Sequence, residues 1–241
     1  MILFKGTLKK PARLFRDAFK MQHSVRRFGM KYITISREYG SGGRTIGKLV
    51  AQHMGWDFYD SEIIDMAAEQ SGLARDFIKK TEQNISSSWL YSMMIGSSYA
   101  TGTAGTTPGS RNPILPLADQ VFNAQRKTIL QLIDKGPCVL VGRCADYILA
   151  TSDKVQKDEL LNVFVYAPLD DRVERAVREY NVPQAEARRI VQQIDKRRAN
   201  HYNTFTENCW GKRNFYELMI NSSLLGLEGT AELIAQAAKN A

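Results

Sequence analysis

The chain has 241 residues, 44% hydrophobic and 24% charged, with a net charge of +8. No run approaches the roughly 18 consecutive apolar residues that a membrane span needs, and 10% aromatic content with ordinary glycine and proline excludes a disordered or fibrous chain. The charge is uneven: residues 1–30 carry eight basic side chains against Asp17 alone, and the rest carries 25 basic and 24 acidic. A near-neutral body gives no reason to expect nucleic acid as its partner.

The first 30 residues read as a basic amphipathic arm, with Leu14, Phe15, Ala18, Val25 and Phe28 on one helical face and Arg16, Lys20 and Arg27 opposite. Three readings stay open: a helix docked on the body or touching a membrane, a transit-like leader, and sequence upstream of a start at Met30. A packing or dispensable arm is favoured over membrane contact. Three cysteines without paired spacing argue for a reducing, cytoplasmic setting.

Five short apolar runs follow: YITIS at 32–36, WDFY at 56–59, CVLVG at 138–142, NVFVYA at 162–167 and ELMIN at 217–221. Segments of 3.6-residue periodicity lie between them, one at 45–54 closed by Gly55 and one at 120–135 closed by Gly136. The alternation predicts an α/β domain over 31–241, a parallel sheet with helices on both faces. Residues 96–110, nearly all Gly, Ser, Thr and Pro, predict a loop within an insert at about 84–118. Residues 170–213 form an Arg-rich helical segment.

The chemistry begins at ISREYGSGGRTIG, residues 35–47, where a strand enters a glycine turn and then a helix. Such a turn lets amides converge on an anion, and the helix dipole points at the same place. Gly40, Ser41, Gly42, Gly43, Arg44 and Thr45 are therefore predicted to hold phosphates. Against the P-loop template G-x-x-x-x-G-K-[ST], Gly43 and Thr45 match, Glu38 replaces the first glycine and Arg44 replaces the lysine. The Thr45 hydroxyl is the candidate ligand for Mg²⁺.

Further pieces follow later strands: Asp60-Ser61, the GRCAD run 142–146, Arg172 and Arg175, and DKRR at 195–198. With FYDSEII, VLVGRCADYIL, IDKRRANHYN and YELMINSSLLGLEGTAELI, the chain over about 31–238 resembles the cytidylate kinase-like branch of the nucleoside monophosphate kinases. The resemblance implies a P-loop NTPase-type five-stranded parallel sheet with an Arg-rich lid at about 170–213. It also implies transfer of the ATP γ-phosphoryl group to a nucleoside monophosphate, CMP or dCMP first, with Mg²⁺ as cofactor. Asp60 and Ser61 then begin the monophosphate pocket, and Arg143 and Asp146 read the acceptor. Arg44, Arg143, Arg175, Arg197 and Arg198 are the catalytic candidates, with Arg172 beside them and Asp195 orienting one of them.

Arg197 and Arg198 leave the helix on different faces, so only one is expected to be central. Arg178, Arg188 and Arg189 read as a solvated face, Cys144 as a small filler, and His201 as a minor candidate for ligand contact. Val141 stands where the related enzymes carry an acidic residue before Gly-Arg. This departure keeps a second function in view: a nucleotide-binding sensor with the kinase fold and weak or no catalysis.

Overall fold

The computed structural model describes residues 29–72 and 117–240. Most of the arm and nearly all of the 84–118 insert lie outside these residues. The described chain runs β1 (Tyr32–Arg37), α1 (Gly43–Met54), β2 (Asp57–Tyr59), α2 (Glu62–Ser71) and α3 (Leu117–Leu132). It continues through β3 (Cys138–Val141), α4 (Ala145–Ala150), β4 (Leu160–Tyr166), α5 (Leu169–Tyr180), α6 (Ala187–Phe205), β5 (Leu218–Asn221) and α7 (Ser222–Asn240).

The five strands form one parallel sheet in the order β2-β3-β1-β4-β5. All five expected strands are present, each within two residues of its expected ends. Helix α1 closes on Gly55 with a left-handed cap, as its sequence predicts.

Side chains alternate across the sheet and explain the near-continuous apolar runs. Ile33, Ile35, Val139, Val141 and Val163 face one layer, where Ile46 and Val50 of α1 and Ile234 of α7 meet them. Tyr32, Cys138, Leu140 and Leu160 face the other, against Ile129 and Leu132 of α3 and Ile148 and Leu149 of α4. Each fully buried aliphatic side chain contributes about 1.5–3 kcal/mol, so both faces are needed to hold the sheet. At Gly47 an added Cβ would stand 2.8 Å from Val141 Cγ2 and 3.2 Å from Ile35 Cδ1, so α1 presses directly onto β1 and β3.

This topology matters for function. β1 lies between β3 and β4, and the chain leaves it in opposite directions along the sheet. A crevice therefore opens beyond the C-terminal ends of these strands, where doubly wound sheets bind their ligands. No helix among the described residues is long and apolar enough to cross a membrane.

Candidate functional site

The turn from β1 into α1 is built for an anion. Gly40 and Gly42 take φ of 81° and 80°, a region that costs glycine little. A Cβ on Gly40 would also collide with the backbone of Arg172. Five consecutive carbonyls of the turn are held. Arg198 donates to the Arg37 oxygen at 3.0 Å, the Ser41 hydroxyl to the Glu38 oxygen at 2.9 Å and Arg172 to the Tyr39 oxygen at 3.2 Å. Arg175 donates to the Gly40 oxygen at 2.7 Å, and the Ser222 hydroxyl to the Ser41 oxygen at 2.7 Å. The first amides of α1 have no intrahelical acceptor, and the helix dipole favours negative charge before them.

Arg172 is the hub behind this turn. Its Nε donates to the Ala167 carbonyl at 3.0 Å and lies 3.2 Å from Glu38 Oε2, while Nη1 serves the Tyr39 carbonyl and the Asp195 carboxylate. Asp195 also accepts the Tyr39 amide at 2.6 Å, and Glu38 accepts the Ala167 amide at 3.2 Å. Burial pushes the Glu38 and Asp195 carboxyls above their ordinary range, with Arg172 opposing that shift in both. The sequence expectation had Asp195 orienting one of the candidate arginines. The structure gives its closest ion pair to Arg172 of α5, with Arg198 only at 3.9 Å.

A second unusual turn follows β3. Gly142, Arg143 and Cys144 take φ of 75°, 58° and 54° in succession, before α4 begins. Left-handed backbone costs an ordinary residue about 1–2 kcal/mol, and such strain persists where the surroundings enforce it. Here it projects Arg143 into the crevice.

Two cavities occupy that crevice. The smaller, about 300 Å³, is formed by the glycine turn with Arg44, Asp60 and Tyr180. The larger, about 440 Å³, adds Arg197, His201, Tyr202 and Trp210. Arg37, Tyr39, Arg143 and Arg198 line both and form a shared wall. The described residues lining the larger cavity include no carboxylate.

The structure brings most of the expected residues to this crevice, though not always as expected. Arg44, with 64% of its side chain exposed, turns aside to pair with Asp60 through Nε at 2.8 Å. Asp60, expected to begin the monophosphate pocket, lies with the glycine turn in the smaller cavity. Thr45 sits exposed on the first turn of α1. Ser61 caps α2 and lines neither of these two cavities.

Asp146 is 3% exposed and also lines neither. It accepts the Tyr202 hydroxyl at 2.8 Å, and burial pushes its carboxyl up to about 6. Tyr202 in turn lines the larger cavity. Arg197 and Arg198 both line the larger cavity, and of the two Arg198 also lines the smaller. Arg188 and Arg189 are exposed and pair with Asp170 and Glu186, as a solvated face should. Arg178 does the same with Glu174.

Sequence reasoning missed Arg37, Tyr39 and Trp210. The first two stood inside the quoted motif, at the end of the central strand, where position alone marks them. Trp210 reaches the cavity from beyond α6, and no local pattern announces it.

The cytidylate kinase-like family matches this chain over residues 32–224. Among curated proteins there is no match. Among solved structures, an uncharacterized protein from Eubacterium ventriosum is similar with a TM-score of 0.61 at 19% identity, covering 88% of this chain and all of its own. A shikimate kinase from Acinetobacter baumannii, in complex with shikimate, has a TM-score of 0.45 at 14% identity over 86% of this chain and 92% of that one. A gluconokinase from Sinorhizobium meliloti has 0.42 at 14% over 89% and 96%. At these identities the likeness to the first concerns the fold alone.

Proposed function

The chain belongs to the cytidylate kinase-like family, and from that premise we propose an ATP-dependent phosphotransferase acting on a nucleoside monophosphate, CMP or dCMP first. The observation that carries this reading is the shared wall: two cavities of about 300 and 440 Å³ meet at Arg37, Tyr39, Arg143 and Arg198. ATP places its phosphates on the glycine turn, and the monophosphate occupies the larger, carboxylate-free cavity. Phosphoryl transfer needs positioning and charge neutralisation more than covalent help. Arg143 and Arg198 can contact both phosphate chains, and Arg197 adds a third guanidinium on the acceptor side. Forked donors fix geometry as well as charge.

Arg172 and Arg175 act behind the turn in this reading, holding the loop that holds the phosphates. Helices α5 and α6 form the Arg-rich lid, whose closure would keep water from competing as acceptor. Asp60 orients Arg44, Ser61 starts the helix beside it, and Asp146 fixes Tyr202 against the acceptor. Mg²⁺, when bound with ATP, would supply neutralisation of phosphate charge. The exposed Thr45 hydroxyl fits one ligand position, and no group of three or more His, Cys, Asp or Glu is gathered for a metal among the described residues. Phosphate and water would therefore supply most of its coordination.

A second reading, a nucleotide sensor with little catalysis, draws support from Arg44, which is engaged by Asp60 in the place of the P-loop lysine. A bridging ligand tests the shared wall directly. Adenosine and cytidine joined through five phosphates should bind at least roughly tenfold tighter than ATP, because the second half binds without a second loss of translational freedom. Calorimetry showing affinity no better than that of ATP would remove the two-cavity assignment.

A further inference from the structure

We propose that Arg37, a residue the P-loop template leaves unassigned, is the cation that takes the place of the missing lysine and contacts the transferring phosphoryl group. This inference rests on the phosphotransfer reading and names the residue at its centre. Arg37 ends β1, the central strand, at the point where the crevice opens. It lines both cavities, whereas Arg44 lines only the smaller.

Its path is enforced by two glycines. A Cβ on Gly43 would stand 2.5 Å from Arg37 Cβ and 2.9 Å from its Cγ. A Cβ on Gly142 would collide with Nη1 and stand 3.0 Å from Cζ. The stem therefore crosses the start of α1, and the guanidinium rests on the turn after β3, between the donor and acceptor sides. Only 17% of the side chain is exposed, against 64% for Arg44. Both arginines share Asp60, Arg37 through Nη2 at 3.5 Å to Oδ1 and Arg44 at 2.8 Å to Oδ2. The looser pair to Asp60 belongs to the inner arginine, whose planar fork matches the geometry of phosphate oxygens.

The chemistry balances without Arg37 being consumed. An acceptor phosphate oxygen bonds to the γ-phosphorus, the bond from that phosphorus to the β–γ bridging oxygen breaks, and ADP leaves with the electron pair. Arg37 stabilises the charge spread over the transferring oxygens.

The test compares Arg37→Met, Arg37→Lys and Arg44→Met in ATP-dependent transfer to the best monophosphate acceptor, with ATP affinity measured by calorimetry. Arg37→Met should lower kcat at least about 100-fold, as loss of a transition-state donor does, a larger loss than Arg44→Met produces. Arg37→Lys keeps the charge but loses the fork; it should lower kcat at least about tenfold with an unchanged melting midpoint. That variant decides the matter if Arg37→Met does not fold. Millimolar guanidinium chloride should restore part of the activity of Arg37→Ala and none to Arg44→Ala. The inference is overturned if Arg37→Met and Arg37→Lys both keep kcat within threefold, or if Arg44→Met suffers the larger loss. A wild-type protein that binds ATP and transfers nothing defeats the phosphotransfer reading instead. Arg37 is then judged on ATP affinity alone, which Arg37→Met should weaken at least about tenfold and by more than Arg44→Met does.

Discussion

Replacing Arg172 by alanine should destabilise the protein by about 3–5 kcal/mol, the usual result of removing one partner from a buried ion pair. The side chain is 9% exposed and serves two carbonyls and two carboxylates. Its loss leaves Glu38 and Asp195 close together with only the more distant Arg198, 3.9 Å from Asp195, as a cation, and each already sits above its ordinary carboxylate range because of burial. Arg172→Lys should recover little, since one ammonium cannot reach all four acceptors in the geometry of the guanidinium fork.

The pH dependence follows from linkage. Without Arg172 both carboxyls shift further upward in the folded state, so the native variant binds more protons than its unfolded chain. Its stability then falls as pH rises from the unfolded carboxylate range through the raised folded values. Urea unfolding should show a deficit that is smaller in mildly acidic buffer than at neutral pH. A loss under about 1 kcal/mol, or a deficit independent of pH, would contradict the buried-hub account. The same substitution frees the Tyr39 carbonyl and leaves Asp195 without its main partner, so the glycine turn should loosen and ATP affinity should fall with stability.

Arg143 should behave in the opposite way, costing activity without costing stability. Its φ of 58° strains the backbone between Gly142 and Cys144, and its side chain lines both cavities. Arg143→Ala should lower kcat/KM at least about tenfold, on the order of 1.4 kcal/mol of transition-state stabilisation. Arg143→Gly removes the same guanidinium and also relieves the left-handed strain of about 1–2 kcal/mol. It should therefore melt at or above the wild-type temperature while remaining as inactive as the alanine variant. Wild-type kinetics in Arg143→Gly would take Arg143 out of the site; a lower melting temperature would mean that the turn is a scaffold and not a strained functional feature.

The two residues also show what could be read from the sequence. Strands were legible because burial on both faces writes itself as runs such as CVLV and NVFVY, and the phosphate turn because three glycines follow the first run. Arg143 was legible from its place after a buried strand. The register of the P-loop template was less informative. It pointed to Arg44, the next side chain after the glycines, which lines only the smaller cavity, whereas Arg37, seven positions earlier, is one of the residues that line both. That reach depends on Gly142, more than a hundred residues away, being close enough to leave room only for hydrogen. Arg172 binding Asp195 across two helices is likewise a tertiary fact, since the 23-residue separation fits no helical spacing. The Arg-x-x-Asp pattern does not report that the Asp146 carboxylate is buried and accepts the Tyr202 hydroxyl. Nor does any sequence rule place Arg and Cys together in left-handed backbone, where neither is favoured.

The central claim is that the glycine turn and the arginine-lined cavity are the donor and acceptor halves of one phosphotransfer site. Its most direct test is to supply the purified 241-residue chain with ATP-Mg²⁺ and each ribo- and deoxyribonucleoside monophosphate in turn, following the γ-phosphoryl group into product. The account predicts formation of nucleoside diphosphate and ADP in equal amounts, fastest with CMP or dCMP. ATP bound tightly with no phosphoryl group transferred to any monophosphate would contradict it.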